Sequence, residues 1–299
     1  MGMHGPEQGQ AIKEALLVDQ FNHPERIDIS GTLVSVVDIA PQEGLKSEIP
    51  TIVVPGFSAT PEALKDTIIR IAEAGRRVIS ADAAHGVPIK GKGLTEAQLE
   101  AIGLPRAELR KLELILGLLE AKGLSPVNVV GHSEASIYVL AAAALAPEKF
   151  RNIVLVEPAG LIGADTVWQL GKRVLKDAKE EKIAGKSRQK VEFTPPNTIP
   201  ETVLPHLPAS IAEIRAIANS DVTDNLARVH GLGIGVSIIH GVDDQFFPME
   251  RVQQMVKDHM IDGLYSVEGT HNAMYLWEPY GRVTEQALSA LENRHHRSQ

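Results

Sequence analysis

The feature that most constrains this chain is a series of short, continuously apolar runs separated by helix-like stretches. "TIVVPGF" (51–57), "RVIS" (77–80), "VNVV" (127–130), "NIVLVEP" (152–158), "IGVSIIHG" (234–241) and "LYSVEG" (264–269) read as strands. They do not alternate apolar with polar residues, so both of their faces are covered, and that is the pattern of a parallel sheet between helical layers. Helices are predicted between them. Thr60 is placed to cap one, with Pro61 at its first position and Gly75 at its end. Thr95 and Gln98 have capping-box spacing. Leu109, Leu112, Leu116 and Leu119 share one face of a helix that stops at Gly123, and "EASIYVLAAAALAP" follows "VNVV" as another helix. Ahead of the series, "RIDISGTLVSVVDIAP" reads as a hairpin across Gly31. The predicted class is α/β: a mostly parallel central sheet with helices on both faces.

The rhythm breaks between residues 159 and 232. That stretch has no strand-like run. It carries a charged helix (164–185), a proline-rich segment with Pro195, Pro196, Pro200, Pro205 and Pro208, and two further helical stretches. The expected organisation is a core of 1–158 and 233–299 with a helical lid at 159–232 folded over the sheet's working edge. Within the lid, 172–190 carries mostly basic charge and is expected to be a solvated face.

Composition narrows the chemistry. With no cysteine among 299 residues, disulfides, thiolate metal sites and cysteine nucleophiles are excluded. A net charge of −8 is a poor match to nucleic acid. No histidine–carboxylate set has metal-ligand spacing, and "HGLGIG" precedes a strand instead of following one, so neither a metal nor a phosphate-bound cofactor is expected. The first residues show no basic start with an apolar run behind it, Pro6 stands where a myristoylation site needs Ser or Thr, and no segment approaches eighteen apolar residues. A cytoplasmic protein with no membrane span, acting on a small molecule and with room for a homodimer, is expected.

"VNVVGHSEAS" carries the chemistry. A strand runs into Gly131-His132-Ser133-Glu134-Ala135 and then into an Ala-rich helix. A serine between small residues at so sharp a turn is either a helix cap or a strained, exposed nucleophile. A nucleophilic serine needs a base and an acid that orients it. Asp243 and Asp244 follow the strand that ends in Gly241, and His271 follows the one that ends in Gly269, so all lie at strand ends.

With these residues in place the chain resembles the α/β-hydrolase family, over nearly its whole length. The strand–Ser133–helix elbow carries the resemblance, with Ala135 where the family has a second glycine; "APEKFRNIVLVEPAG" adds to it. The family's acid follows a strand-end glycine by three residues and precedes a proline by four. That spacing selects Asp244 through Gly241 and Pro248, with Glu157, at the end of an earlier strand, as the rival position. The resemblance implies a catalytic Ser133–His271–Asp244 triad. It also implies an oxyanion hole from the backbone N–H groups of Glu134 and Phe57, although Pro55 stands where the family has histidine. Ser58, His132 and Trp168 are expected to border the substrate, with His132 packed beside the sheet; Trp168 has core packing as its alternative. His85 is expected to be a loop histidine. The implied activity is hydrolysis of a small or medium carboxylic ester. Lactone, thioester, amide or carbon–carbon bond hydrolysis, cofactor-free perhydrolysis, a receptor of the same fold with little turnover, and a triad-bearing scaffold remain open.

Overall fold

The computed structural model describes residues 6–41, 44–82, 94–163, 165–173, 176, 207–256, 260–276 and 278–297. His85 and Pro195, Pro196, Pro200 and Pro205 lie outside these, as does most of the basic run. In chain order the elements begin with α1 (Pro6–Asn22), β1 (Glu25–Ile29), β2 (Thr32–Ile39), β3 (Thr51–Val54), α2 (Lys65–Glu73) and β4 (Val78–Ala81). Next come α3 (Glu96–Ala101), α4 (Leu109–Ala121), β5 (Val127–His132), α5 (Ala135–Leu145) and β6 (Phe150–Val156). The helical segment α6 (167–173), α7 (Leu207–Asn219), α8 (Thr223–Gly231), β7 (Gly235–Gly241) and α9 (Met249–Met255) follow, then β8 (Gly263–Val267), α10 (Ala273–Leu276) and α11 (Glu278–Arg297).

The eight strands form one sheet in the order β1-β2-β4-β3-β5-β6-β7-β8. β2 runs antiparallel to both β1 and β4, and the pairs from β4 through β8 are parallel. β5 and β7 are buried along their whole length, as their unbroken apolar character requires. The β1–β2 hairpin closes through Ser30 and Gly31, both at positive φ (53° and 83°), the backbone of a type I′ turn.

Two apolar layers flank the sheet. One holds Leu17 and Phe21 of α1, Ile68 and Ile71 of α2 and Leu288 of α11. The other holds Leu112 and Leu118 of α4, the alanines of α5 and Leu226 and Val229 of α8. α8 packs on α5 and supplies core residues just before β7, so residues 223–231 belong to the helical layer on the sheet. That corrects the expected lid boundary at 232: a parallel β6–β7 pair needs a crossover helix on the sheet, and α8 is that helix.

Local signals held at Thr95, whose side chain and that of Gln98 form both capping-box bonds. Thr60 stands at the expected N-cap with Pro61 in the first turn, but without a side-chain bond. The chain enters α2 through a 3₁₀ turn, Pro61–Leu64, in which the Ala63 N–H donates to the Thr60 carbonyl (3.0 Å), and the Thr60 hydroxyl makes no cap bond.

Connections from β3 go to one side of the sheet and those from β5 to the other. The order therefore reverses between these neighbours, and at such a switch point the strand ends leave a crevice at their carboxyl edge. The loops after β3 and β5 carry Phe57 and Ser133.

Candidate active site

Ser133 follows β5 and precedes α5 with φ 53°, a left-handed conformation that a serine adopts only when its surroundings impose it. They do so here. The Ser133 N–H donates to the Val156 carbonyl (2.9 Å), and its own carbonyl accepts from the Ser136 and Ala159 N–H groups (3.1 Å each) and the Ser136 hydroxyl (2.8 Å). The turn also needs small neighbours. A Cβ on Gly131 would stand 3.4 Å from the Ala135 methyl, an ordinary contact, so alanine fits in the family's glycine position. A Cβ on Gly56 would stand 3.1 Å from the Ser133 Cβ and 2.9 Å from His132 Nδ1, so the loop after β3 approaches the elbow closely only as glycine.

The turn directs Ser133 Oγ at His271 Nε2, 2.9 Å away, and His271 Nδ1 lies 2.9 Å from Asp244 Oδ2. All three side chains are buried. Asp244 Oδ1 accepts the N–H groups of Phe246 (2.7 Å) and Phe247 (3.0 Å). Burial works against ionising Asp244. The His271 charge and hydrogen bond, His240 and the Phe247 amide outweigh it and hold the carboxyl below its ordinary range. The His271 ring is stacked on Phe246, with centroids 4.3 Å apart and planes at 13°, which restricts its rotation.

Glu157, the rival position, is not elsewhere. Its backbone is also left-handed (φ 50°), and its Oε2 lies 3.3 Å from His271 Nδ1 while Oε1 accepts from the Tyr280 hydroxyl (2.7 Å). Among the described residues, Glu157, Asp244 and His271 are the only histidine–carboxylate group whose ligand atoms all come within 4.8 Å of one another. Nδ1 is hydrogen-bonded to Asp244, whose other oxygen already accepts two amides, while Glu157 Oε2 stands at ion-pair distance outside hydrogen-bond geometry.

His132 packs beside the sheet as expected. Its Nε2 lies 3.2 Å from the His271 carbonyl and its Nδ1 2.6 Å from the Tyr275 hydroxyl, so both ring nitrogens are engaged by the protein. The assignment that fits both is Nε2–H donating to the carbonyl and Nδ1 accepting from tyrosine. The expected substrate contact is therefore corrected: at 2% exposure, His132 braces the His271 loop from behind. Burial, with the His271 charge beside it, pushes its pKa from 6.5 to about 3. The unfolded chain takes up this proton below pH 6.5 and the folded one does not, so stability falls as the pH drops from 6.5 toward 3. His132→Gln is expected to flatten the slope of unfolding free energy against pH by up to about one proton in this window, measured by urea titration at several pH values.

Trp168 does not take its core-packed alternative. On α6 it is 72% exposed, with the Lys172 ammonium 5.0 Å from its ring, while Leu170 is buried. Two residues apart on a helix face nearly opposite ways, and Leu170 holds the inward face. Ser58 is buried in the turn after Phe57 at φ 58°.

The Glu134 carboxylate points away from Ser133 into a buried cluster. Lys111 Nζ lies 2.6 Å from Glu134 Oε2, 3.0 Å from Glu213 Oε2 on α7 and 3.9 Å from Glu108 Oε2. Three acids face one base. Burial and the neighbouring Glu134 drive the Glu108 pKa well above the ordinary range. The Lys111 pKa is raised because the three carboxylates outweigh its burial. The backbone N–H of Glu134, ahead of the first turn of α5, lies outside that helix's own hydrogen-bond ladder.

Gly241 and Gly269 let the strand ends that carry Asp244 and His271 meet. A Cβ on Gly241 would collide with the Gly269 carbonyl and stand 2.8 Å from Glu157 Oε1 and 2.9 Å from the Tyr280 hydroxyl. Gly241→Ala is expected to cost about 1–3 kcal/mol or more by overpacking, read as a fall in the urea midpoint.

Sequence reasoning missed Tyr275, Tyr280, Phe246 and Lys111. Tyr275 had a weak signal, four residues past His271; Tyr280, 123 positions from Glu157, had none.

The fold and this strand-end array define a class, that of proteins with a serine elbow at the switch point of a doubly covered sheet. A family model described as alpha/beta hydrolase fold matches residues 110–185. That match and the solved structures agree on an α/β-hydrolase fold for this chain. Its solved neighbours are similar in structure at low identity. An esterase from Thermogutta terrifontis is 17% identical with a TM-score of 0.58, covering 90% of this chain and 99% of that one. A meta-cleavage product hydrolase from Pseudomonas fluorescens is 16% identical with a TM-score of 0.56, covering 89% and 97%. A bromoperoxidase from Bacillus anthracis is 14% identical with a TM-score of 0.56, covering 90% and 98%. Their chemistries differ, so the likeness speaks for the fold. No curated protein matches the chain in sequence. Among the described residues no helix is long and apolar enough to cross a membrane.

Proposed function

We propose that this chain is a serine hydrolase that cleaves a small or medium carboxylic ester through an acyl-enzyme. The observation that carries the reading is the 2.9 Å approach of Ser133 Oγ to His271 Nε2 at a left-handed elbow. In this reading Ser133 Oγ attacks the ester carbonyl and its proton passes to His271 Nε2. The imidazolium so formed keeps its Nδ1–H on Asp244, which fixes the tautomer and stabilises the charge. The carbonyl oxygen, now anionic, is met by the backbone N–H groups of Glu134 and Phe57 and by the N-terminus of α5. His271 returns the proton to the departing alcohol, and water, activated by the same imidazole, releases the acid.

In this reading α7 is part of the lid, and its Glu213 is tied to Lys111, which also pairs with Glu134 next to Ser133; this supports a place for α7 near the elbow. A series of p-nitrophenyl esters of increasing acyl length tests the substrate class. Turnover is expected to peak at short or medium chains. A protein whose Ser133 takes a fluorophosphonate but which hydrolyses no ester in the series would keep the nucleophile and lose the ester assignment.

A further inference from the structure

We infer that Glu157 is a second acid on His271, a positioning residue able to hold the base in its working tautomer when Asp244 is removed. The inference rests on the triad reading of Ser133 and His271 and deepens it. His271 Nδ1 faces two buried carboxylate oxygens, Asp244 Oδ2 at 2.9 Å and Glu157 Oε2 at 3.3 Å. They come from different strands. Asp244 follows β7 and Glu157 follows β6, and the Glu157 N–H is anchored to the Ile239 carbonyl (2.8 Å) inside the β6–β7 ladder.

Glu157 is held where it stands. Its backbone keeps φ 50°, strain that persists only where neighbours impose the conformation. Its Oε1 accepts the Tyr280 hydroxyl at 2.7 Å, and Tyr280 is fully buried on α11. Gly241, with no Cβ, leaves the room: a methyl there would stand 2.8 Å from Glu157 Oε1. The second Glu157 oxygen is thereby held at ion-pair distance from the imidazole, buried and outside hydrogen-bond geometry while Asp244 is present. Asp244 has the better geometry, with two amide donors fixing it, and is the principal partner.

When Ser133 gives up its proton to Nε2, the positive charge that appears on the ring lies beside both carboxylates. While Asp244 holds the ring, Glu157 Oε2 stands 3.3 Å from Nδ1 but outside hydrogen-bond geometry. Without Asp244, it is the carboxylate oxygen that a small turn of the imidazole would bring onto the Nδ1–H, so the ring keeps Nε2 free for the serine. The other titratable groups around the pair are His240, 3.6 Å from Asp244 Oδ2, His132 behind the His271 ring, Tyr280, Asp243 and Arg173.

The test is a double-mutant cycle read as the second-order rate of fluorophosphonate labelling at Ser133, which needs the base but no known substrate. Glu157→Gln alone is expected to lower the rate by a smaller factor than Asp244→Ala does, because the principal partner Asp244 remains. Asp244→Ala alone is expected to lower it by about 10–10²-fold. The double variant is expected to fall by about 10⁴-fold, the loss typical of a triad with no acid. The acid limb of the pH–rate profile should move down in Asp244→Ala and move down further, by about one unit or more, in the double variant, as the last negative charge beside the imidazole is lost. Packing alone would not move that limb. Asp244→Ser, whose hydroxyl can accept an amide without forcing a donor onto Nδ1, repeats the cycle should Asp244→Ala fold poorly, and the same ordering is expected. The inference is overturned if Asp244→Ala or Asp244→Ser alone reaches the 10⁴-fold loss and Glu157→Gln adds nothing to it. Absence of any Ser133 labelling in the wild-type protein would instead remove the underlying triad reading.

Discussion

Ser133→Ala is expected to lower kcat for an activated ester by about 10⁶-fold, with the fold and melting temperature nearly unchanged. The size follows from how the residues act as a unit: without Oγ there is nothing for His271 to deprotonate, and what persists is binding and the oxyanion donors. Stability should hold because the elbow is kept by backbone bonds, the Ser133 N–H to the Val156 carbonyl and the Ser133 carbonyl to the Ser136 and Ala159 N–H groups. Alanine retains all of these. The left-handed φ of 53° disfavours alanine about as much as serine. A variant that kept more than about a hundredth of the wild-type rate would show that the hydroxyl is not the nucleophile.

Lys111→Met is expected to have the largest effect on stability, a loss of about 3–5 kcal/mol near neutral pH. Methionine matches the aliphatic stem of lysine but leaves Glu134, Glu213 and Glu108 facing each other with no cation, and all four side chains are buried. An ion cluster of this kind adds little beyond what an apolar replacement of the whole set would give, yet removing one partner strands the remaining charges. The pH dependence has a definite sign. As pH falls through the carboxylate range the stranded acids take up protons and the penalty shrinks, so variant and wild type should converge in acid and diverge toward alkaline pH. Urea titrations at pH 5 and pH 8 read this directly, and adding Glu134→Gln and Glu213→Gln to Lys111→Met should recover part of the loss. A destabilisation below about 1 kcal/mol at pH 8 would mean that the cluster is more hydrated than its burial indicates. The elbow should suffer with the fold, because Glu134 is both an arm of the cluster and the donor next to Ser133.

What could be read from the sequence was whatever local chemistry dictates. Continuous branched runs can be buried only as interior strands, and the runs at 51–54, 127–132, 150–156 and 235–241 are the strands β3, β5, β6 and β7. Ser133, Asp244 and His271 were legible because each follows a strand, and the carboxyl ends of parallel strands share one edge. The rest depended on distance in the chain. Lys111 and Glu213 are 102 positions apart, and no period or spacing links them. Glu157 and Asp244 were read as rivals, because spacing selects one acid; only the close approach allowed by Gly241 shows room for both. Trp168 kept core packing as its alternative because an apolar residue type does not say which way a helix turns it, and Leu170 holds the inward face. His132 packs beside the sheet as expected, but the substrate contact also expected of it was not to be settled locally, because its partners Tyr275 and the His271 carbonyl arrive from 143 and 139 residues away.

The measurement that bears most directly on the account is mass-spectrometric mapping of the site labelled by a fluorophosphonate. The account predicts a single stoichiometric adduct on the peptide that contains Ser133, absent from Ser133→Ala and strongly slowed in His271→Ala. An adduct on a different serine, or none on the folded wild-type protein, would contradict it.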